Sequence, residues 1–178
     1  PYNQNIFIGY SYKVINHSKA VLIATPSSAF GSVLKNIKDN LNDIPIAWVT
    51  KGFDPETANL LHETFNHYLK GHHPCVISGP TFAAEIVEEK PAAIVVASKD
   101  KKTRDYWSDI IQTETLRAYT NSDIVGVQVG GSVKNILAIA AGIASGLGFG
   151  ANTQAALITR GLAEMTRLGV ALGADKVT

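Results

Sequence analysis

At 178 residues, 46% hydrophobic and 17% charged, the chain has the make-up of a globular protein able to bury one substantial core, which excludes a disordered or fibrous reading. A net charge of +1 offers no general attraction for nucleic acid or an anionic membrane, so any anion must be recognised by a few placed groups, and the substrate is expected to be small. One cysteine, Cys75, rules out an internal disulfide; with no Cys-x-x-Cys or His-x-x-x-His pair, a structural zinc is not expected and a reducing compartment is.

The longest apolar runs are short or interrupted by Gly, Ser and Asn, so neither a signal peptide nor a spanning segment is expected and the cytoplasm is the default. The chain opens at Pro1 without methionine and stops at Thr178 without a closing structural signal, which reads as a piece of a longer protein.

Residues 1–19 are polar and aromatic and predict no strand. Short apolar runs of β-formers follow at 21–25, 46–49, 76–78, 92–97 and 116–119, of the kind buried on both faces of a sheet. Helical patterns lie between them at 29–41, 55–69 and 101–112, with a short helix after Pro80. The alternation predicts a parallel sheet of βαβ units. From Ser122, a candidate helix cap, the pattern changes to helix after helix, over 122–145 and 152–172. The chain thus divides into an α/β part, 1–121, and the start of an all-helical part, 122–178, both incomplete. Ile136, Ile139 or Ala140, Ile143 and Leu147 read as a core stripe, and Ile158, Leu162, Met165, Gly169 and Leu172 form one apolar stripe of the second helix. Arg160, Glu164 and Arg167 form a charged ladder with a structural role. Gly146 to Gly150 resembles a phosphate loop, but no strand precedes it, so a helix break is the better reading.

Ligands of open parallel sheets collect beyond the carboxyl ends of the strands, and three such ends here carry unusual residues. Thr25-Pro26-Ser27-Ser28 starts a helix with hydroxyl groups and leaves Phe30 near the crevice. Lys51 and Gly52 follow a buried strand, where a cation can pair with a phosphate or polarise an oxygen. Gly79-Pro80-Thr81-Phe82-Ala83 exposes helix-start amides that attract anions. Each also fits an ordinary capped turn. Lys134 adds a fourth feature: its neighbours on the helix are Gly130, Gly131, Ala138, Ala141 and Gly142, so it and Asn135 are the polar groups beside a face with little side-chain volume. A close helix contact with the lysine reaching to water fits the same spacing. No Gly-x-Gly-x-x-Gly fingerprint is present, so a first βαβ unit is expected upstream of Pro1.

Taken together, Ala24-Thr25-Pro26-Ser27, Thr50-Lys51-Gly52, Ser78-Gly79-Pro80-Thr81-Phe82-Ala83, Val129-Gly130-Gly131-Ser132-Val133-Lys134-Asn135, Ala140-Ala141-Gly142-Ile143 and Ala156-Leu157-Ile158-Thr159-Arg160-Gly161 resemble, in order and spacing, the bacterial-type NAD(P)-dependent glycerol-3-phosphate dehydrogenases. The resemblance covers residues 20–174. It implies a Rossmann-like dinucleotide-binding domain joined to an all-helical substrate domain, and an oxidoreductase with NAD or NADP as cofactor, reducing dihydroxyacetone phosphate to sn-glycerol 3-phosphate for phospholipid synthesis. It also implies catalytic roles for Lys134, Lys51 and Asn135; a substrate site of Lys51, Gly79, Thr81 and Lys134; and cofactor contacts at Pro26, Phe30, Lys51 and Ala83. No metal, nucleic acid or membrane partner is implied, and a homodimer is. The family's glycine fingerprint, its aspartate and its phosphate-binding arginine lie outside this sequence, so the chain alone is expected to be inactive. A 6-phosphogluconate or β-hydroxyacid type of dehydrogenase, and a catalytically silent nucleotide-binding module, are the rival readings.

Overall fold

The computed structural model describes residues 5, 6 and 8–178. Strands β1 (Val21–Ile23), β2 (Ile46–Trp48), β3 (Val76–Ser78), β4 (Ala92–Ala97) and β5 (Leu116–Asn121) form a single sheet in sequential order. Helices α1 (Ser27–Ile37), α2 (Leu61–Tyr68), α3 (Ala83–Val87) and α4 (Lys101–Ile111) alternate with them, and α5 (Ile124–Gly146) and α6 (Ala151–Ala171) follow. The expected elements are all present, with ends shifted by a few residues. Two differences have physical causes. Residues 55–60 form a loop instead of the first turns of α2, because the Asp54 carboxylate captures the backbone amides of Glu56 and Thr57 at 2.9 and 3.3 Å. The cap of α5 is Asp123, accepting from the Gly126 amide at 2.9 Å, and not Ser122.

The sheet is parallel apart from the β3–β4 pair, which is antiparallel, with Ser78 opposite Val95. A parallel return needs a crossover long enough to run back along the sheet. The segment between β3 and β4 contains only the five-residue α3 and buries none of its residues, so β4 comes straight back. The reversal places the end of β5, and hence the start of α5, at the opposite end of the sheet from the β1–β3 carboxyl ends. Helix α5 then climbs back along the sheet, and about ten residues at 1.5 Å each bring its second and third turns to the crevice.

Each sheet face has its own core. On one, Phe30, Leu34 and Ile37 of α1, Leu61 and Phe65 of α2, and Ile124 and Val127 of α5 pack around Trp48. The Phe30 ring meets Trp48 edge-on at 5.5 Å, and Phe65 lies 5.4 Å from it on the other side. On the other face, Trp107 of α4 covers Ala47, Cys75, Ile77 and Val96.

The stripe expected to be the core face of α5 is exposed: Ile136, Ile139, Ile143 and Leu147 are each more than half accessible, as is Leu162 on α6. The two helices meet instead through glycine. Gly161 is buried with the Leu137 side chain lying where its Cβ would be. Periodicity identifies an apolar stripe but not what covers it. Helix α5 is also long and apolar enough to cross a membrane. Its first half is buried on the protein, and Gln128, Ser132 and Lys134 all find protein partners there.

Candidate active site

Chain direction brings three segments to one place. Strand β2 ends in a turn whose Thr50 hydroxyl donates to the Thr25 carbonyl at 2.7 Å, tying the ends of β1 and β2 together. Gly52, at φ +110°, then turns the chain away in a conformation that favours glycine. Beyond it, Asp54 organises the loop: the carboxylate also accepts the Thr64 hydroxyl at 2.7 Å, and its backbone oxygen accepts the Ala58 amide at 2.8 Å. These bonds, the Thr64 one foremost, hold the Asp54 carboxyl below the usual carboxylate range. Asp54→Ala is expected to cost about 1–3 kcal/mol, as buried donors lose their acceptor. The contribution is fully present above the ordinary aspartate range and is lost as pH falls below that range through the lowered pKa of the folded state. Urea midpoints should therefore differ at pH 7 and converge in acid.

The Lys51 side chain reaches the Gly79 carbonyl just past β3, with Nζ 3.5 Å from the oxygen. From α5, Lys134 Nζ donates to the same oxygen at 3.1 Å. Helix α5 passes close to β3 at Gly131, where a Cβ would lie 2.5 Å from the Ser78 hydroxyl. Burial, and next the Lys51 charge, hold the Lys134 ammonium below the ordinary lysine value of 10.5. A cavity of about 370 Å³ opens beside it, lined by Gly79, Pro80, Val127, Gly130 and Gly131 among others. Two cations with one neutral carbonyl between them make a site that favours an anionic ligand carrying an oxygen to be protonated.

Two contacts that the spacing of residues did not reveal hold α5 in register. Ser132 Oγ accepts the Gly52 amide at 3.0 Å. Buried Gln128 accepts the His62 amide at 3.1 Å, and its own amide nitrogen lies 3.0 Å from His62 Nδ1. Burial lowers the His62 pKa, which suits a neutral ring accepting there. A glutamine within the apolar run 124–131 is the available signal.

Of the residues expected at the site, Lys51, Gly79 and Lys134 are brought together, and Thr81 follows Gly79 half-buried. Asn135 is exposed on α5, and Ala83 is exposed at the start of α3. Pro26 caps α1, whose start has no side-chain cap, and the adjacent Thr25 hydroxyl is buried without a partner. A helix start with no side-chain cap, beside a hydroxyl without a partner, is a place where an anionic group fits. Phe30 does not face this crevice. It is fully buried in the core against Trp48, because its position in the first turn of α1 points at the sheet. Cys75 is likewise core, its thiol pushed up to about 12 by burial, which leaves no thiolate for nucleophilic chemistry. Among the described residues no group of three His, Cys, Asp or Glu is placed to hold a metal ion.

The model of the NAD-dependent glycerol-3-phosphate dehydrogenase N-terminus matches residues 10–104, more than half of the chain, and that of the C-terminus matches 123–178. The chain belongs to this family of dehydrogenases. Among its relatives, glycerol-3-phosphate dehydrogenase [NAD(P)+] of Ruthia magnifica is 57% identical over 178 residues, spanning 99% of this chain and 55% of that protein. The corresponding protein of Aliivibrio fischeri is 51% identical over 169 residues, 93% of this chain and 49% of that one. The crystal structure of the dehydrogenase from Coxiella burnetii superposes with a TM-score of 0.92 at 38% identity, covering 99% of this chain and 55% of that one. The chain thus spans about half the length of the glycerol-3-phosphate dehydrogenases it matches.

Proposed function

We propose that the full-length protein is a cytoplasmic NAD(P)-dependent glycerol-3-phosphate dehydrogenase that interconverts dihydroxyacetone phosphate and sn-glycerol 3-phosphate, with an α/β domain (1–121 here) and a helical domain beginning at 122. The observation that carries this reading is the convergence of Lys51 and Lys134, one from each part, on the Gly79 carbonyl. A nicotinamide cofactor, when bound, supplies or accepts the hydride. Pro26, Ala83 and the uncapped start of α1 are the groups of this chain that would hold it.

Reduction of a ketone places negative charge on its oxygen and requires a proton there. Lys134 gives that proton, and takes it back in the oxidative direction, its acidity raised by burial and by Lys51. Lys51 offsets the charge of the phosphoester, Gly79 and Thr81 shape its seat, and Asn135 orients it. The reading predicts that full-length protein oxidises NADH or NADPH with dihydroxyacetone phosphate and not with β-hydroxyacid-derived ketones. Cofactor binding with no turnover of any of them would instead favour a silent binding module.

A pH profile provides a further check. The acid form of Lys134 is the proton donor, so kcat/KM for reduction should fall as pH rises through a pKa below that of ordinary lysine. Lys51→Met removes the like charge and should move that limb to higher pH. A limb that stays in place would remove Lys51 from this role.

A further inference from the structure

Ser132 has no part in the reaction described above, yet it lies where the helical part is tied to the turn bearing Lys51. Its hydroxyl accepts the Gly52 amide at 3.0 Å and donates to the Gln128 carbonyl at 2.7 Å. A serine within a helix commonly donates to the carbonyl four residues back, which leaves its lone pairs free. Here one of them receives an amide from a different element. The Gln128 end is itself anchored, since the Gln128 side chain donates to the Ile124 carbonyl at 2.9 Å and accepts the amide of His62 in α2.

The same helical turn makes two further contacts. Gly131 lies against Ser78, with the position of its absent Cβ 3.9 Å from Lys51 Cγ, and Lys134 reaches Gly79. The Gly52–Ser132 bond therefore connects the residue next to one ammonium with the turn that carries the other. Gly52 sits at φ +110°, so the turn has no bulky side chain with which to hold its own place.

We infer that Ser132 is a positioning residue: through the Gly52 amide it holds Lys51 at the register where its ammonium converges with that of Lys134, and so governs affinity for the phosphate-bearing substrate. The inference rests on the dehydrogenase reading. Its test is a set of variants of the full-length enzyme. Ser132→Ala should raise KM for dihydroxyacetone phosphate about 5–20-fold, the scale of one lost hydrogen bond, with kcat changed less than about 2-fold. Ser132→Thr keeps the hydroxyl and should restore most of the affinity. In a Lys51→Ala background the cost of Ser132→Ala should vanish, because a residue acting through Lys51 then has nothing to hold. An unchanged KM in Ser132→Ala, or the same cost in both backgrounds, would overturn the inference.

Amide exchange at Gly52, followed without substrate, separates this claim from the reaction. Exchange should be slow in the wild type and in Ser132→Thr, and fast in Ser132→Ala. Equal protection in all three would also overturn the inference. A wild-type enzyme that does not reduce dihydroxyacetone phosphate would defeat the dehydrogenase reading and the substrate role of Ser132 with it, while the tether would stand or fall on the exchange data.

Discussion

Lys134→Met in the full-length protein should lower kcat for dihydroxyacetone phosphate reduction by about 10²–10⁴-fold, the range for loss of a positioned general acid. Methionine keeps a long apolar stem in the half-buried position on α5 but has no proton to give. The Gly79 carbonyl would keep only the Lys51 ammonium, at 3.5 Å. Folding should not suffer, because the substitution removes a partly desolvated charge, whose burial is a cost. Cofactor affinity, measured by fluorescence titration, should hold, since the groups assigned to the cofactor lie on the other part of the chain. Turnover within a few-fold of wild type would remove Lys134 from proton transfer. Equal losses of turnover and thermal midpoint would make it structural instead.

A substitution at Gly79 should act on both folding and activity. A Cβ there would stand 2.7 Å from the Ala93 carbonyl oxygen and 3.0 Å from Ile94 Cα, both backbone atoms of β4. Backbone cannot rotate aside, so the strands must part locally, and Gly79→Ala should destabilise by about 1–3 kcal/mol as overpacking does. Because the Gly79 carbonyl is where the two lysines meet, its displacement should also cost activity beyond any loss of folded protein. Gly131→Ala is the control: its Cβ would meet the Ser78 hydroxyl, a side chain that can turn away, and about 1 kcal/mol or less is expected. Urea midpoints and kcat/KM on the same preparations decide this. Gly79→Ala matching wild type in both measurements would mean that β4 yields more readily than backbone packing implies.

Much of this site could be read along the chain. The strand ends at Thr25, Thr50 and Ser78 were marked by a run of β-formers stopping at Pro or Gly, which reflects local backbone geometry. Lys51 and Lys134 stand out as cations beside glycine, but each spacing also fits a structural use, and it is their meeting at the Gly79 oxygen that separates the readings. Phe30 was misplaced for a physical reason. A residue in the first turn of a helix that follows a strand can point to the crevice or to the sheet, and the one-residue difference between these is set by where the helix starts. The roles of Ser132 and Gln128 are not legible along the chain, because their partners, Gly52 and His62, are 80 and 66 residues away.

The alternation of elements, the change to helices after residue 121 and two lysines set beside glycine are legible along the chain, since hydrophobic period, turn chemistry and residue type are properties of neighbouring residues. That β4 turns back against β3, that α5 consequently climbs to the crevice, and that both ammonium groups share the Gly79 oxygen emerge in the folded chain alone. Strand direction and inter-element hydrogen bonds depend on contacts between residues far apart in the chain, and no local pattern records those.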